Sequence, residues 1–199
     1  MNKPAARNAD ELILEGIVTS TNEDGTTNVS PMGPVADREI TRLRLRPFST
    51  STTYQNLKRL GKGVFHVTDD VDLLVRSALG MPCDVELLPA VEFDVEYLAS
   101  ACRWYAFEVT SLDDSEERVE IECAVVKRGH VRDFLGWNRA MHAVLEATIL
   151  ATRVHMLPAE HIAEELNRFQ TTIDKTASEA ERAAFRLVLS YVENHEQSE

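Results

Sequence analysis

Between Glu15 and Leu57 the chain runs through two short β-rich segments joined by a tight turn, an arginine-bearing alternating segment and a hydroxyl-rich helix start. This order constrains the fold more than any other feature. Residues 12–20 read as a strand, with Ile13, Ile17 and Val18 supplying β-forming character. Asn22-Glu-Asp-Gly25 reads as a hairpin turn, with Gly25 where a positive φ is needed. Thr27–Met32 is the returning strand, and Pro31, lacking a backbone donor, belongs at a strand end or bulge. Over residues 39–46, Thr41, Leu43 and Leu45 share one face, while Ile40, Arg42, Arg44 and Arg46 share the other.

The rest of the first two thirds continues in short elements. Ser51 or Thr52 caps a helix through Leu60, and Gly61 ends it. Val64–Val67 is a strand, and Asp69 or Asp70 starts a short helix that stops near Gly80. Two long strands, Cys102–Thr110 and Arg118–Val126, flank the acidic turn Asp113-Asp-Ser-Glu-Glu117. Tyr105, Phe107 and Val109 line one face of the first, and Val119, Ile121, Cys123 and Val125 one face of the second. Short strands without regular strand–helix alternation predict a β-barrel rather than a parallel α/β sheet.

The last third is helical. Gly136–Met156 is apolar nearly all round (Trp137, Met141, Val144, Leu145, Ile149, Leu150, Val154), which predicts burial on several sides. Pro158 opens a second helix carrying Ile162, Leu166 and Phe169. Ser178-Glu-Ala-Glu181 is a capping box opening a third, with Phe185, Val188, Leu189 and Val192 as its stripe. The expected class is therefore α+β and mainly β: a barrel domain over residues 1–130 and a helical segment over 131–199, packed on the barrel and on a second copy.

A formal net charge of -12 lacks the clustered basic face that nucleic-acid binding needs. No apolar run approaches the roughly 18 residues of a membrane span. No apolar segment follows Met1-Asn-Lys-Pro-Ala-Ala-Arg, which argues against a secretory signal. Cys83, Cys102 and Cys123 are odd in number and widely spaced, which favours a reduced, cytoplasmic setting and packing roles.

Two clusters carry chemistry. Ser49, Thr50, Ser51, Thr52 and Thr53 crowd a helix start, where free amides and the positive end of the helix dipole attract a phosphate. Arg46 lies just upstream and can grip phosphate oxygens with two parallel hydrogen bonds. A capped surface helix beside an incidental arginine accounts for the same residues. Arg42 and Arg44 read as structural ion-pair partners. Pro31-Met32-Gly33 permits close approach of a flat ligand, with a thioether against its face, although a strand-end turn explains it equally. Asn138, His142 and Glu146 lie at spacings of four on one helix face. A hydrogen-bond cluster explains them better than a metal pair, since no further ligand sits nearby. No nucleophile motif, GxGxxG or Walker loop is present, so any redox chemistry would fall to a cofactor.

Glu15-Gly-Ile-Val-Thr-Ser, Asn28-Val-Ser-Pro-Met-Gly, Arg46-Pro-Phe-Ser-Thr-Ser-Thr-Thr-Tyr-Gln-Asn-Leu and Phe134-Leu-Gly-Trp-Asn-Arg-Ala-Met-His-Ala-Val-Leu-Glu together resemble an uncharacterised family. It lies within the flavin reductase-like FMN-binding split-barrel superfamily and occurs in methanogenic archaea and some bacteria. The resemblance implies a six-stranded split barrel, a homodimer and FMN near the subunit interface. It places Thr19, Ser20 and Thr21 at the end of the first strand, and Ser30, Pro31, Met32 and Gly33 along the isoalloxazine. Arg46, Ser51, Thr53, Tyr54 and Asn56 would surround the phosphate and ribityl chain, with Asn138, Arg139 and His142 closing the site. The activity implied is that of an FMN-dependent oxidoreductase with a nicotinamide or other small-molecule electron donor. The alternatives are a non-catalytic FMN carrier or sensor, or a split barrel holding deazaflavin or haem. For haem, His66 or His142 would be the axial ligand.

Overall fold

A computed structural model describes residues 9–90 and 93–196 and divides the chain into two compact units. One comprises the chain up to Thr68 together with Val85–Asp133, and the other Asp69–Asp84 with the chain from Phe134 onward. The N-terminal stretch weighed as a signal lies outside the described residues.

The first unit is a curled antiparallel sheet. Its strands are β1 (Leu12–Ile13), β2 (Gly16–Thr21), β3 (Thr27–Met32), β4 (Val35–Ala36), β5 (Arg42–Leu45), β6 (Lys62–Val67), β9 (Arg103–Asp113) and β10 (Glu120–His130), in the order β1-β4-β5-β10-β9-β6-β2-β3. A separate hairpin pairs β7 (Leu87–Pro89) with β8 (Glu96–Leu98). Helix α1 (Thr52–Leu60) lies between β5 and β6 in sequence.

Register explains how eight segments make a six-stranded barrel. Leu12 pairs with Ala36 in β1–β4 and Gly16 with Met32 in β2–β3, so both pairs share one register. The Leu14 amide donates to the Pro34 carbonyl between them at 3.1 Å. The expected strand 12–20 is thus half of one hairpin ribbon that bends at Leu14–Glu15 and Gly33–Pro34. One end of the ribbon pairs through β4 with β5, the other through β2 with β6, and the ribbon closes the barrel. Beyond the bend, β3 has β2 as its strand partner and is an open edge among the described residues, which is where a proline is tolerated. Pro31 sits there.

The barrel core follows the alternation of the strands. Val18, Leu43, Leu45, Phe65, Tyr105, Phe107, Val119, Ile121 and Cys123 pack inside, joined by Tyr54 and Leu57 of α1. Opposite them, Val64, Trp104 and Ala106 face outward under Ala90 and Val95 of the β7–β8 hairpin. Gly25 has φ 85° in the expected hairpin turn, and Ser51 and Gly61 cap α1 as expected.

The second unit contains α2 (Val71–Ala78), α3 (Arg139–Ala151), α4 (Ala159–Thr176) and α5 (Glu179–Glu196). Segment 69–84 belongs here, although it precedes residue 130: Val71 and Val75 pack with Val144, Ile162, Leu166 and Phe185. The Ser178–Glu181 capping box forms, with the Ser178 amide and hydroxyl both donating to Glu181 Oε2. α3 is shorter than the expected 136–156 and is not buried all round. Ala140, Ala143, Val144, Ala147 and Ala151 form its buried face, and His142 and Glu146 are exposed on the other side. Its closest packing is therefore made by small residues, and the larger apolar side chains flank that face. Among the described residues no helix is long and apolar enough to cross a membrane.

Candidate functional site

The open edge of β3 and the start of α1 come together in a polar seam. Side chains of β2 and β3 alternate, so Ser20 and Asn28, which are register partners, share the face toward α1. Asn28 Nδ2 donates to Thr53 Oγ1 at 3.1 Å and to Ser20 Oγ at 3.3 Å. Asn56 Nδ2 donates to Ser20 Oγ at 3.1 Å and to Asn22 Oδ1 at 2.8 Å, and its Oδ1 accepts from Arg59. Ser20, Thr53 and Asn56 are all buried. With its donors and its acceptor all engaged, Asn56 pins α1 to the barrel. Asn28, Asn22 and Arg59 complete the seam but were missed from sequence. The alternation of Asn28, Ser30 and Met32 on one face was the available signal for the first.

The helix start has capacity left over. Ser51 Oγ accepts from the Tyr54 amide at 3.2 Å and donates to the Phe48 carbonyl at 2.8 Å. The amides of Thr52 and Thr53 make no hydrogen bond among the described residues, as expected for the first positions of a helix. Among the described residues no carboxylate caps them. Upstream, Arg46 Nε is buried without a hydrogen bond, its nearest carboxylate being Glu120 at 3.7 Å. Arg44 Nε is likewise buried without a hydrogen bond, but its guanidinium lies between two carboxylates, Glu11 at 3.4 Å and Glu122 at 3.8 Å, as expected of a structural residue. Unpaired amides, hydroxyls and an incompletely satisfied guanidinium suit a phosphate.

Other expected residues are placed as follows. Ser30 and Met32 lie on the same side of β3 as Asn28, and Met32 packs against the barrel core. Pro31 is on the opposite side. Gly33 lies under Glu15, whose carboxylate oxygens come within 2.9 Å of where a Cβ would stand, so a side chain there would displace Glu15. Thr19 points away from Ser20, to the outer face, where its Oγ1 donates to the Glu96 carbonyl at 2.9 Å. Thr21 contributes a carbonyl that accepts from Arg59. The Tyr54 ring joins the core, and its hydroxyl is held by Asp114 at 2.7 Å and Lys58 at 2.9 Å.

Asn138, Arg139 and His142 belong to the helical unit. Asn138 caps α3, its Oδ1 accepting from the Ala140 and Met141 amides, and its Nδ2 donates to the Thr176 carbonyl. Arg139 is exposed, and His142 stacks on the exposed Trp137 with centroids 5.4 Å apart. Neither histidine weighed as an iron ligand is in a haem-like setting. His66 is fully buried, with Nε2 accepting from the Leu98 amide and Nδ1 against the Ile17 carbonyl, both at 3.1 Å. Burial pulls its pKa down to about 4, the bond to Ile17 opposing only in part, so the neutral ring with its proton on Nδ1 fits. Among the described residues no group of three or more His, Cys, Asp or Glu side chains could hold a metal.

Two open grooves border α1. One, about 520 Å³, runs along its exposed side past Thr52, Gln55 and Lys58. The larger, about 920 Å³, lies at its far end, where Lys62 is paired with Asp94 beside Glu23 and Glu96. Size favours the larger. Charge favours the seam and the helix start, since three carboxylates line the larger groove against two cations.

The family profile described as the N-terminal domain of protein of unknown function DUF447 matches residues 14–132, and that described as protein of unknown function DUF447 matches residues 138–190. No curated protein sequence matches the chain. Among solved structures, an FMN-bound DUF447 protein of Methanosarcina mazei is similar at TM-score 0.76 and 27% identity, over 90% of this chain and 94% of its own. An FMN-binding protein of Thermus thermophilus, solved with 1-cyclohex-2-enone, reaches TM-score 0.51 at 11% identity, covering 66% of this chain and 77% of its own. The 2-nitrobenzoate 2-nitroreductase of Pseudomonas fluorescens reaches 0.50 at 16%, covering 58% and 64%. The last two likenesses establish the fold alone. The chain belongs to the DUF447 family, and its first unit has the split-barrel fold of flavin reductase-like proteins.

Proposed function

We propose that this protein binds FMN and works as a flavin reductase-like oxidoreductase. One observation carries the reading: the start of α1 offers two unpaired amides and a row of hydroxyls, with Arg46 Nε buried and unbonded upstream. The FMN bound by the Methanosarcina mazei relative supports it. Arg46, Ser51 and Thr53 would hold the phosphate, Ser20 and Asn28 the ribityl hydroxyls, and Ser30, Met32 and the backbone of Pro31 and Gly33 the flat ring. Tyr54 and Asn56 fix α1 against the barrel and act on the flavin through it. Bound FMN would supply hydride or electron exchange with a nicotinamide or other small-molecule donor. Titration of the protein with FMN should give a saturable yellow complex of defined stoichiometry; no uptake defeats the proposal.

A carrier or sensor is the second reading, because the hydrogen-bonded seam is built, among the described residues, from hydroxyls, amides and Arg59, with no histidine, cysteine or carboxylate to act as acid or base. The displaced groups by α1 are Lys58, raised chiefly by its hydrogen bond to Asp114, and Asp114, lowered by the same bond. Stopped-flow mixing with NADH or NADPH separates the two: rapid bleaching of bound flavin marks an enzyme, unchanged absorbance a carrier. We further propose a homodimer in a reducing cytoplasm. Trp137 at 90% and Leu135 at 79% exposure support the dimer, and the free thiols of Cys83 and Cys123 the compartment. Sedimentation velocity at micromolar concentration tests the dimer, and a monomer there defeats it.

A further inference from the structure

The segment that would grip the phosphate is held by a part of the chain with no role so far, the turn between β9 and β10. Arg118 Nη1 donates to the Arg46 carbonyl at 3.0 Å, and the Val119 amide donates to the Pro47 carbonyl at 3.0 Å. The Ser49 amide donates to the Glu117 carbonyl at 3.0 Å. Phe48 and Arg118 form a β-bridge, with the guanidinium 3.8 Å from the centre of the Phe48 ring. One turn into the helix, Asp114 Oδ2 accepts from Tyr54 Oη at 2.7 Å and from Lys58 Nζ at 2.6 Å. Thus the turn grips both the approach to α1 and its exposed flank.

We infer that this turn is a brace, and that its positioning residues Arg118 and Asp114 set the preference of the site for a phosphorylated flavin over its dephosphorylated form. The inference rests on the phosphate reading of the α1 start. Donors already held in place cost no ordering when the ligand arrives, so loosening them weakens only a ligand that uses them. The turn contacts described above all go to residues 46–58, and none of them to the β3 edge that would carry the ring. Riboflavin, which is FMN without its phosphate, isolates the effect.

FMN and riboflavin titrations of the full chain and of Arg118→Met and Asp114→Asn test the brace. The dissociation constant for FMN should rise about tenfold in Arg118→Met and about threefold in Asp114→Asn, with riboflavin unchanged within about twofold. Equal weakening of both ligands, or no change in either, overturns the inference. Asp114 is exposed, so Asp114→Asn keeps the test valid should Arg118→Met fail to fold. The unmutated protein serves as the control for the parent reading: if it does not prefer FMN to riboflavin, the phosphate site itself fails. A purely structural turn would lower the melting temperature and shift both ligands together.

Discussion

Neighbouring residues of β2 face two polar seams of opposite character. Thr19 points outward to a closed seam, where its hydroxyl bonds the Glu96 carbonyl and His66 joins the Ile17 carbonyl to the Leu98 amide. Thr19 and His66 are both buried, and their hydrogen-bonding groups are matched by backbone. Ser20 points the other way, to a seam that runs out at an open strand edge. There the Ser30 hydroxyl and the amides of Thr52 and Thr53 have no partner among the described residues. Closed polar bonding stabilises a fold, whereas donors left over beside an open edge mark a place for a ligand.

The strongest way to break this contrast is to attack the outer seam. In His66→Leu the Leu98 amide and Ile17 carbonyl lose their partner inside the protein, which should cost about 3 kcal/mol of stability. Acid should do the same to the wild type. The folded pKa, about 4, lies below the ordinary 6.5, so the folded state favours the neutral ring. This contribution is complete above pH 6.5, falls away as the pH drops toward 4, and levels off below that. The two pKa values imply a loss of about 3 kcal/mol across the window. Urea denaturation of both proteins between pH 3.5 and 7.5 reads this out. An equal pH slope in His66→Leu would assign the acid loss to the carboxylates instead. FMN affinity at pH 7 should not change in the variant.

The proposed phosphate site should respond in the opposite sense. Arg46→Ala should weaken FMN by about 2 kcal/mol, close to thirtyfold, the range for a charge-assisted hydrogen bond. Its stability should stay within about 0.5 kcal/mol, because the ion pair with Glu120 is long and half-exposed. A fluorescence titration together with a melting curve checks both halves. Ser51→Ala falls between the seams, since the hydroxyl caps α1 whether or not a ligand is bound. Stability should drop by about 1 kcal/mol. Binding should weaken with it as the helix start frays; undiminished FMN affinity would show that Ser51 serves the helix alone.

Patterns local in sequence were legible; placements set by tertiary closure were not. The caps Ser51, Gly61 and Ser178 were legible because a cap is fixed by a few consecutive residues. The inward faces of β9 and β10 were legible through strict alternation. The bend in the first hairpin was not, because Leu14–Glu15 reads as continuous strand and turns only where its two ends find β5 and β6. For the same reason Thr19, Ser20 and Thr21 read as one group, although successive strand residues serve opposite faces. The run Asn138, His142 and Glu146 looked buried because α3 is rich in apolar residues. Alanine spacing places the packed face elsewhere. The Asp114 and Arg118 contacts to the α1 segment span more than fifty residues and left no mark in the pattern.

The smallest effect gives the sharpest test of the contrast. Ser30 lies on the face of β3 that carries Asn28 and Met32, and its hydroxyl has no protein partner among the described residues. Removing an unbonded hydroxyl from a half-exposed edge strand leaves nothing unsatisfied, so Ser30→Ala should melt within about 1 °C of the wild type. If the hydroxyl meets the flavin, the FMN dissociation constant should rise about two- to fivefold, equivalent to about 0.5–1 kcal/mol. Thr19→Ala, one strand away on the outer face, should do the reverse, losing stability through the bond to Glu96 while FMN binding holds. Should both variants weaken FMN alike, or neither, β2 and β3 would not divide ligand from scaffold, and the cofactor would have to lie along another edge.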